Sequence, residues 1–401
     1  MKLLILSFNY QPDFCAGSFR STALVNFLRQ EIDLEDSIEV ITTMPNRYQS
    51  LKNPALEYQQ DGNVIIQRIP VIDHNNNQIL QIFAFIIYAY KALQLIRNQD
   101  YTLLYASSAR LATAWLGARI SHQKRIPLFL DIRDIFTENI RDTSRFAHLF
   151  LLPIIKPFEK YTIQSATHIN FVSEGFRDTF IYFKGKTTFF TNGIDEVFLG
   201  KNYHKTCPND SQKPKIITYA GNIGEGQGLE KIIPEVAKVL GSNYIFNIIG
   251  DGGTKHKLVR KLIDWQVDNV KLIPVVNQAD LIKHYQESDY LFLHLNDYKA
   301  FEKVLPSKNF EYAATNKTVI AGVGGYAKAF IEENMDNVFI FESGDVESLV
   351  KFLKNHQVTQ KDRPDFRKRF SRKNIMQSMA KSMLALAKLR QETIDGNNKA
   401  M

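Results

Sequence analysis

Glycine-rich loops recur in the second half of the sequence, each directly after a short apolar run. Their sequences are GNIGEGQG (221–228), GDGG (250–253) and GVGG (322–325). Glycine allows backbone amides to converge on an anion at the positive end of a helix dipole. A single loop of this kind is usually only a turn, but three at one sheet edge indicate a phosphate site. The candidate residues in the first two loops are Gly221, Asn222, Gly224, Gln227, Gly250 and Gly252.

A later helix start offers the positive charge that loop 221–228 lacks, since this loop contains no lysine or arginine. A Pro-Ser pair starts the helix, so Ser307 and Lys308 lie among its first free amides, where a cation can neutralise a diphosphate. Glu311 lies about one turn further along the same face, where its carboxylate can accept both hydroxyls of a ribose. Glu302 precedes this helix. The alternative is a capped surface helix with an exposed charge pair, which these residues alone favour.

Short apolar runs alternate with amphipathic stretches along nearly the whole chain, and this alternation must position the loops. Runs buried on both faces that alternate with helices are typical of a parallel sheet in an α/β layer fold. The sequence therefore predicts two doubly wound domains, 1–200 and 216–374. A polar, proline-containing stretch without periodicity, 201–215, is the predicted linker. Residues 375–392 have apolar side chains at helical spacing and form a last helix.

The composition excludes several classes of protein. The chain has 401 residues, 44% of them hydrophobic and 23% charged, which is typical of folded globular domains. Cys15 and Cys207 are far apart, so neither a disulfide framework nor a structural zinc site is expected, and a cytoplasmic location fits best. The basic run 361–373 has seven Lys or Arg against two Asp. We interpret it as a solvated helix flank rather than a nucleic-acid site, because no recognition module accompanies it.

Two apolar stretches leave alternatives open. Within 78–96, the uninterrupted apolar core 82–90 is too short to span a bilayer. The second stretch, 145–161, is interrupted by Pro153 and Pro157. Both stretches are either buried core helices or segments that lie in the plane of a membrane surface. The net charge of +8 suits anionic lipids and a nucleotide equally well.

Six motifs occur in order across nearly the full length of the chain: SFNYQPDFCAGSFR, LDIRDIFTEN, TNGID, TYAGNIGEGQGLE, IIGDGG and VLPSKNFEYAATNKTVIA. As a set they resemble the retaining glycosyltransferases of GT-B family 4. Within that family the resemblance is to the bacterial cell-surface polysaccharide and O-antigen transferases. The last motif is the most specific, because Pro-Ser-Lys followed by Phe-Glu-Tyr-Ala before a strand is uncommon outside this group.

The resemblance implies two Rossmann-like domains that face each other across a cleft, with the last helix packing back on the first domain. It implies a nucleotide-sugar donor, with UDP favoured, whose diphosphate is held by the glycine-rich loops and Lys308 and whose ribose is bound by Glu311. No metal or other cofactor is expected. The implied acceptor is a saccharide. The apolar stretches and the net charge favour a lipid-linked saccharide, with the protein in the cytoplasm and peripheral at the inner face of the membrane. A nucleotide-sugar epimerase and a non-catalytic ligand-binding protein are the alternatives.

The sequence departs from the family pattern at two places. Many members carry two glutamates with seven residues between them, but Lys303 occupies the position eight before Glu311, and Glu302 lies one residue earlier. The usual Arg and Lys of the first phosphate loop correspond to Asn222 and Gln227. Both side chains can donate hydrogen bonds, yet the site lacks two formal charges there.

Candidates for the acceptor side lie in the first half of the chain. Gly17 and Arg20 belong to the first strand–helix loop and are candidate contacts for the donor phosphate or the acceptor. Asp131 and Asp134 follow a predicted strand. Each carboxylate either caps the next helix or lies near the acceptor hydroxyl as a catalytic group. Asn192, in TNGID, is a candidate contact for either ligand.

Overall fold

A computed structural model of the chain describes residues 1–13, 15–46, 54–73, 78–108, 110–135, 137–138, 145–203 and 213–399. The chain divides into two compact units. Unit 1 comprises Met1–Asn192 and Arg372–Met401, and unit 2 comprises Gly193–Ser371. The chain therefore passes from one unit to the other twice. Of the predicted linker, residues 204–212 lie outside the described residues.

Strands and helices alternate in both units. The strands are β1 (Lys2–Leu6), β2 (Ser37–Thr43), β3 (Tyr58–Asp61), β4 (Val64–Ile69), β5 (Leu103–Ser107), β6 (Leu128–Ile132), β7 (His168–Phe171), β8 (Lys186–Phe189), β9 (Lys215–Asn222), β10 (Tyr244–Asp251), β11 (Val270–Ile273), β12 (Tyr290–His294), β13 (Thr318–Gly322) and β14 (Val338–Phe341). The helices are α1 (Ala16–Glu31), α2 (Gln78–Leu95), α3 (Leu111–Lys124), α4 (Arg145–Gln164), α5 (Leu229–Leu240), α6 (Lys255–Asp264), α7 (Gln278–Glu287), α8 (Lys308–Ala313), α9 (Gly325–Asn334), α10 (Val346–Asn355), α11 (Pro364–Arg369) and α12 (Arg372–Lys399).

Unit 1 contains an eight-stranded sheet in the order β3-β4-β2-β1-β5-β6-β7-β8. Strand β3 is antiparallel to β4, and the other strands pair in parallel. The sequence does not predict β3, because it is a short, polar and mostly exposed edge strand. Helix α12 packs on α1, and its buried side chains belong to the core of unit 1. They are Met376, Met379, Ala380, Met383, Leu384 and Ala387.

Helix α4 corrects one expectation, because it continues through both prolines instead of being interrupted by them. Pro153 and Pro157 are both exposed. A proline inside a helix removes one backbone hydrogen bond and displaces a carbonyl. On an exposed face, water can bind the freed carbonyl, so the apolar inner face of the helix outweighs the loss.

A buried ion pair between Arg20 and Asp131 lies at the centre of unit 1. The guanidinium donates from Nε to Oδ2 at 2.7 Å and from Nη2 to Oδ1 at 3.0 Å. Tyr105 Oη and Asn170 Nδ2 also donate to this carboxylate, at 2.9 Å and 2.7 Å. Burial by itself would raise the pKa of Asp131, but Arg20 outweighs it, and the pKa lies below its usual value.

The pair corrects the expectation that Arg20 and Asp131 contact a ligand. Both side chains are 0% exposed, which places them in the interior of the unit. Arg20 also donates to the carbonyl oxygens of Phe190 and Thr191, at 2.7 Å and 2.6 Å. The guanidinium therefore ties α1 and β6 to the segment that follows β8, and its role is structural.

Unit 2 contains a six-stranded parallel sheet in the order β11-β10-β9-β12-β13-β14. This is the doubly wound order 3-2-1-4-5-6, in which the direction of winding reverses between β9 and β12. The prediction of an α/β protein with two Rossmann-like domains is confirmed. Ligands of such sheets bind beyond the carboxyl ends of the strands at the reversal point. In unit 2 that point is where loop 221–228 leaves β9.

The basic run 361–373 is only partly a solvated flank. Arg363 is 4% exposed, and its guanidinium donates to the carbonyl oxygens of Thr315, Lys317, Asp336 and Asn337 at 2.8 to 3.2 Å. It thereby joins the end of α8 to the segments that precede β13 and β14. Nearby, the rings of Phe366 and Phe370 pack against Phe310 of α8.

We predict that replacing Asp131 by Asn destabilises the protein strongly, because it leaves the buried Arg20 guanidinium without its counter-charge. The expected loss is about 3–5 kcal/mol in the free energy of unfolding, measured by urea denaturation. The matched control is Asp61→Asn. Asp61 pairs with Arg29 by a similar forked contact, but the two side chains are 59% and 41% exposed, so the control should lose less than about 1 kcal/mol. Equal losses in the two variants would contradict this account.

Candidate functional site

Lys308 reaches the first glycine-rich loop, as the sequence predicts. A Cβ atom at Gly221 would lie 1.8 Å from Lys308 Nζ, so the ammonium group occupies the space that any larger residue at 221 would need. The φ angle of Gly221 is +147°, which side-chain-bearing residues rarely adopt. The ammonium also lies 5.4 Å from the centre of the Tyr219 ring. Burial lowers the pKa of Lys308, and Glu311 opposes the shift. An anion at this position would complete the charge balance.

Two polar side chains of the loop bond to each other. Asn222 Nδ2 donates to Gln227 Oε1 at 2.9 Å, and the same oxygen accepts from the backbone N of Gly224 at 3.3 Å. These are the two positions at which the sequence resemblance implies an Arg and a Lys. In this chain they set the shape of the turn, and the Gln227 oxygen is occupied by two donors. The positive charge beside Gly221 therefore comes from Lys308.

The segment after β12 holds the loop in place, and sequence reasoning missed it. Asn296 donates from Nδ2 to the Glu225 carbonyl at 2.8 Å and from its backbone N to the Gly226 carbonyl at 2.8 Å. Its Oδ1 accepts from Lys231 Nζ at 2.9 Å. Tyr298 Oη donates to the Glu225 carboxylate at 2.9 Å. An asparagine two residues after an apolar strand is the sequence sign of this role.

His294, the last residue of β12, also holds the loop and has a structural role. Its Nδ1 donates to the Gln227 carbonyl at 2.7 Å, while its Nε2 accepts from the backbone N of Gly344 at 3.1 Å. These two bonds require the neutral ring. Burial lowers the pKa of His294 to about 4, so the ring stays neutral at physiological pH.

Close backbone packing explains why residues 250 and 252 are glycines. Gly250 pairs with Gly221 across β9 and β10, and a Cβ atom there would lie 1.8 Å from the Gly221 carbonyl oxygen. A Cβ atom at Gly252 would lie 2.4 Å from the Ile223 carbonyl oxygen. The two glycines let the ends of β9 and β10 approach closely, and this fixes where the first loop begins.

Helix α8 carries Lys308 and Glu311, and Ser307 directly precedes it. Ser307 precedes the first helical residue, and its side chain makes no capping hydrogen bond. Glu311 Oε2 accepts from Tyr285 Oη at 3.2 Å. The Tyr312 hydroxyl accepts from the Ala220 backbone N at 3.2 Å, which anchors the helix to the end of β9. Lys308 and Glu311 thus lie on a helix that is fixed directly to the strand bearing the loop.

Glu302 borders a separate polar cavity at the same edge of the sheet. It is exposed and belongs to a 3₁₀ helix, Lys299–Lys303. The cavity has a volume of about 370 Å³ and lies between the segments that follow β12, β13 and β14. The Gly324–Gly325 turn lines it and packs closely on the 3₁₀ helix, since a Cβ atom at Gly325 would lie 2.1 Å from the Glu302 carbonyl oxygen. Lys328 and Glu342 also line it.

The remaining candidates lie in unit 1. Asp134 follows β6, and burial raises the pKa of its carboxyl to about 6, with Arg133 opposing the shift. Gly17 lies in the first turn of α1, directly under the Arg133 guanidinium. Asn192 is 6% exposed, and its Oδ1 makes no hydrogen bond. The structure thus brings Gly221 and Glu311 close to Lys308 in unit 2, and Gly17 and Asp134 close to Arg133 in unit 1.

The described part of the chain contains neither a candidate metal-binding cluster nor a membrane-spanning helix. No group of three or more His, Cys, Asp or Glu side chains there is placed to hold a metal ion. No helix within the described ranges combines the length and hydropathy needed to span a lipid bilayer.

Comparison with known proteins agrees with this geometry. Residues 205–373 match the family model of glycosyl transferases group 1. Over 113 residues the chain is 34% identical to the putative colanic acid biosynthesis glycosyl transferase WcaI of Escherichia coli K12. That alignment covers 28% of this chain and 26% of WcaI, so it spans about a quarter of this curated relative.

Two solved structures share the fold over nearly the full length. Alr3699/HepE of Anabaena in complex with UDP has 16% identity and a TM-score of 0.63, covering 96% of this chain and 100% of HepE. The apo lipopolysaccharide outer core galactosyltransferase WaaB has 10% identity and a TM-score of 0.61, covering 96% and 99%. The chain has the GT-B fold. Together with the family match, these neighbours support a glycosyltransferase.

The glycine packing in this GT-B protein gives a direct prediction. Gly250→Ala should lower the free energy of unfolding by about 3 kcal/mol or more, because the new methyl group meets backbone that cannot move away. The matched control is Gly253→Ala in the same loop, where a Cβ atom meets nothing within 4 Å. The control should change stability by less than about 1 kcal/mol. Thermal and urea unfolding of the two variants measure the difference, and equal stability would contradict the packing argument.

Proposed function

We propose that the protein is a retaining, metal-independent glycosyltransferase that moves a sugar from a UDP-sugar to a saccharide acceptor. The observation that carries this proposal is the Lys308 ammonium against Gly221, at the reversal point of the sheet in unit 2. A cation there, together with the backbone amides of a glycine-rich loop, suits a diphosphate. The family match over residues 205–373 and the UDP complex of HepE support the choice of donor.

The proposed chemistry requires stabilisation of the departing diphosphate. Fixed donors and cations lower the barrier most when they are already aimed at the charge that develops in the transition state. Lys308 is fixed in this way, since its ammonium group lies between the backbone of Gly221 and the Tyr219 ring. Glu311 would accept the ribose hydroxyls. With retention, the acceptor attacks on the face that the diphosphate leaves, and the departing phosphate takes the acceptor proton.

The cavity beside Glu302 is the proposed site of the transferred sugar. It opens at the carboxyl ends of β12, β13 and β14, the edge that also carries Lys308. Carboxylates such as Glu302 and Glu342 accept hydrogen bonds from sugar hydroxyls, and Lys328 can donate to them. On this proposal Glu302 has the role that the family gives to its first glutamate, although Lys303 occupies the family position.

The acceptor side of the proposal concerns unit 1. Asp134 is half-buried at the carboxyl end of β6, and burial raises its pKa to about 6. Its carboxyl is thus ionised at neutral pH but close to its titration range, which suits a group that orients an acceptor hydroxyl. Asn192 and Gly17 remain candidate contacts. Asp131 is not retained as a catalytic group, because Arg20 and two further donors, Tyr105 and Asn170, enclose it.

UDP binding tests the proposal. We predict that Lys308→Ala lowers UDP affinity at least tenfold and that Glu311→Ala lowers it severalfold, because they remove the diphosphate cation and the ribose acceptor. Isothermal titration calorimetry measures both. The control is Lys283→Ala, which removes a charge from an exposed pair with Asp280 on α7 and should leave the affinity unchanged.

Turnover separates the alternative activities. A transferase releases UDP in proportion to added acceptor. An epimerase converts the donor without acceptor, and a binding protein releases no UDP. Wild-type UDP affinity in both variants, or donor conversion that is independent of acceptor, would contradict the proposal.

We also propose that helix α2 contacts a membrane surface, where a lipid-linked acceptor would be found. One face of α2 is buried through Ala84, Tyr88 and Ala92. The opposite face carries large apolar side chains that are more than half exposed, and a solvated face would not normally carry them. They are Ile79, Ile82, Phe83, Ile86 and Tyr90.

Helix α4 extends this apolar surface. It exposes Ile154 and Phe158 together with Lys156 and Lys160. Helix α3 contacts both α2 and α4, so the three helices form one layer on unit 1. Apolar side chains that enter the headgroup region beside lysines that meet anionic lipids are typical of in-plane binding.

Vesicle binding tests this surface. We predict that replacing Ile82, Phe83 and Ile86 together by Ser lowers binding to phosphatidylglycerol-containing vesicles at least tenfold in co-sedimentation, because less apolar area enters the bilayer. The control is Leu34→Ser, since Leu34 is 97% exposed but belongs to the segment between α1 and β2. Equal binding by the triple variant and the wild type would contradict the assignment, as would a wild type that does not bind these vesicles.

A further inference from the structure

Tyr285 is a buried tyrosine that bonds directly to Glu311, the residue proposed to accept the ribose hydroxyls. It lies near the end of α7 and is 0% exposed. Its Oη donates to Glu311 Oε2 at 3.2 Å. Both residues belong to unit 2. The bond therefore joins α7 to the helix that carries the proposed donor contacts.

The ring of Tyr285 is held on two sides by other aromatic rings. It stacks on Phe198, with the ring centres 6.1 Å apart, and it meets the Tyr312 ring edge to face at 5.6 Å. Such arrangements are favourable for aromatic pairs. Tyr312 is itself bonded to the backbone of β9. The packing of unit 2 thus sets the position of the Tyr285 hydroxyl, and Glu311 bonds to a donor that is already in place.

The Tyr285 hydroxyl is a permanent donor. Burial and the neighbouring Glu311 carboxylate raise the pKa of Tyr285 well above its usual value, so the hydroxyl keeps its proton. A hydrogen bond from a neutral donor to a carboxylate is stronger than one between neutral groups. It holds a side chain with several rotatable bonds in one rotamer, and this lowers the entropy that a ligand must overcome when it binds.

The bond also affects the balance between Glu311 and Lys308. Lys308 lies three residues earlier on α8, where side chains of opposite charge can pair. The two groups are near each other, because Glu311 opposes the lowering of the pKa of Lys308 by burial. A direct pair would engage the ammonium that the diphosphate requires. The bond to Tyr285 stabilises the Glu311 rotamer that faces α7, so the carboxylate and the ammonium can serve different parts of a ligand.

We propose that Tyr285 is a positioning residue that makes the donor site selective for ribonucleoside diphosphates over 2′-deoxyribonucleoside diphosphates. The two oxygens of a carboxylate offer about four acceptor positions, so Glu311 can accept from Tyr285 and from both ribose hydroxyls. A ligand without the 2′-hydroxyl leaves an acceptor of this fixed carboxylate unpaired, and a site built for a hydroxyl rejects such an analogue. This inference rests on the donor site proposed above.

Binding of UDP and of 2′-deoxy-UDP tests the selectivity by isothermal titration calorimetry. We expect the wild type to bind UDP about tenfold more tightly than 2′-deoxy-UDP. Tyr285→Phe keeps the ring and removes only the hydroxyl. It should weaken UDP binding about threefold and 2′-deoxy-UDP binding less than about twofold, because the carboxylate is no longer held for the 2′-hydroxyl.

The matched control is Tyr203→Phe, which removes another buried tyrosine hydroxyl of unit 2. Glu311 is near this residue as well, since its charge adds to the effect of burial in raising the pKa of Tyr203. The Tyr203 hydroxyl, however, donates to the Phe198 carbonyl at 3.0 Å. The control should therefore keep the wild-type preference for UDP. In a Glu311→Ala background, Tyr285→Phe should cause no further loss of UDP affinity, because its partner is already absent.

Three outcomes would overturn the role of Tyr285. They are a wild type that binds the two ligands equally, a Tyr285→Phe variant with the wild-type preference, and a further loss of UDP affinity in the Glu311→Ala background. The wild-type comparison decides even if circular dichroism shows a variant to be unfolded. Wild-type UDP affinity in Glu311→Ala would contradict the proposed ribose contact and this inference with it. A weakened Glu311→Ala beside an unaffected Tyr285→Phe would contradict this inference alone.

Discussion

The proposed donor site depends on one close approach, that of the Lys308 ammonium to the α-carbon of Gly221. The lysine can reach the loop only because residue 221 has no side chain, and the glycine tolerates its φ angle of +147° for the same reason. Helix α8 is anchored to β9 through Tyr312, so the ammonium is held against the strand from which the loop begins. Replacing either residue would change the other's environment. The position of the Lys308 ammonium and the conformation of the loop therefore depend on each other.

Neighbouring residues of unit 2 hold loop 221–228 in place. The ends of β9 and β10 approach closely because Gly250 meets the Gly221 carbonyl, and Asn296 and His294 hold the loop from the side of β12. Asn222 and Gln227 close the turn by bonding to each other. A loop that is held at so many points needs little rearrangement to receive a ligand. Such pre-organisation can offset the lack of a lysine or arginine within the loop itself.

Much of the fold can be predicted from the sequence, because buried parallel strands and amphipathic helices leave strong patterns. The strand ends then identify the loops, and Lys308 could be assigned to loop 221–228 from its place at a helix start. Tertiary contacts could not be predicted in the same way. The pairing of Arg20 with Asp131 joins residues far apart in the chain, and the role of Asn296 depends on which strands are neighbours. The short edge strand β3 was missed because it has no apolar pattern.

The return of helix α12 to unit 1 has a consequence for how the protein is made. Met376, Met379 and Met383 complete a core whose other members come from the first strands and helices of the chain. All of Gly193–Ser371 is inserted between these two parts. During translation the ribosome delivers every strand of unit 2 before it delivers the helix that closes unit 1. The core of unit 1 therefore stays incomplete, with apolar side chains uncovered, until α12 has been synthesised. Unit 2 has its whole sheet before that point.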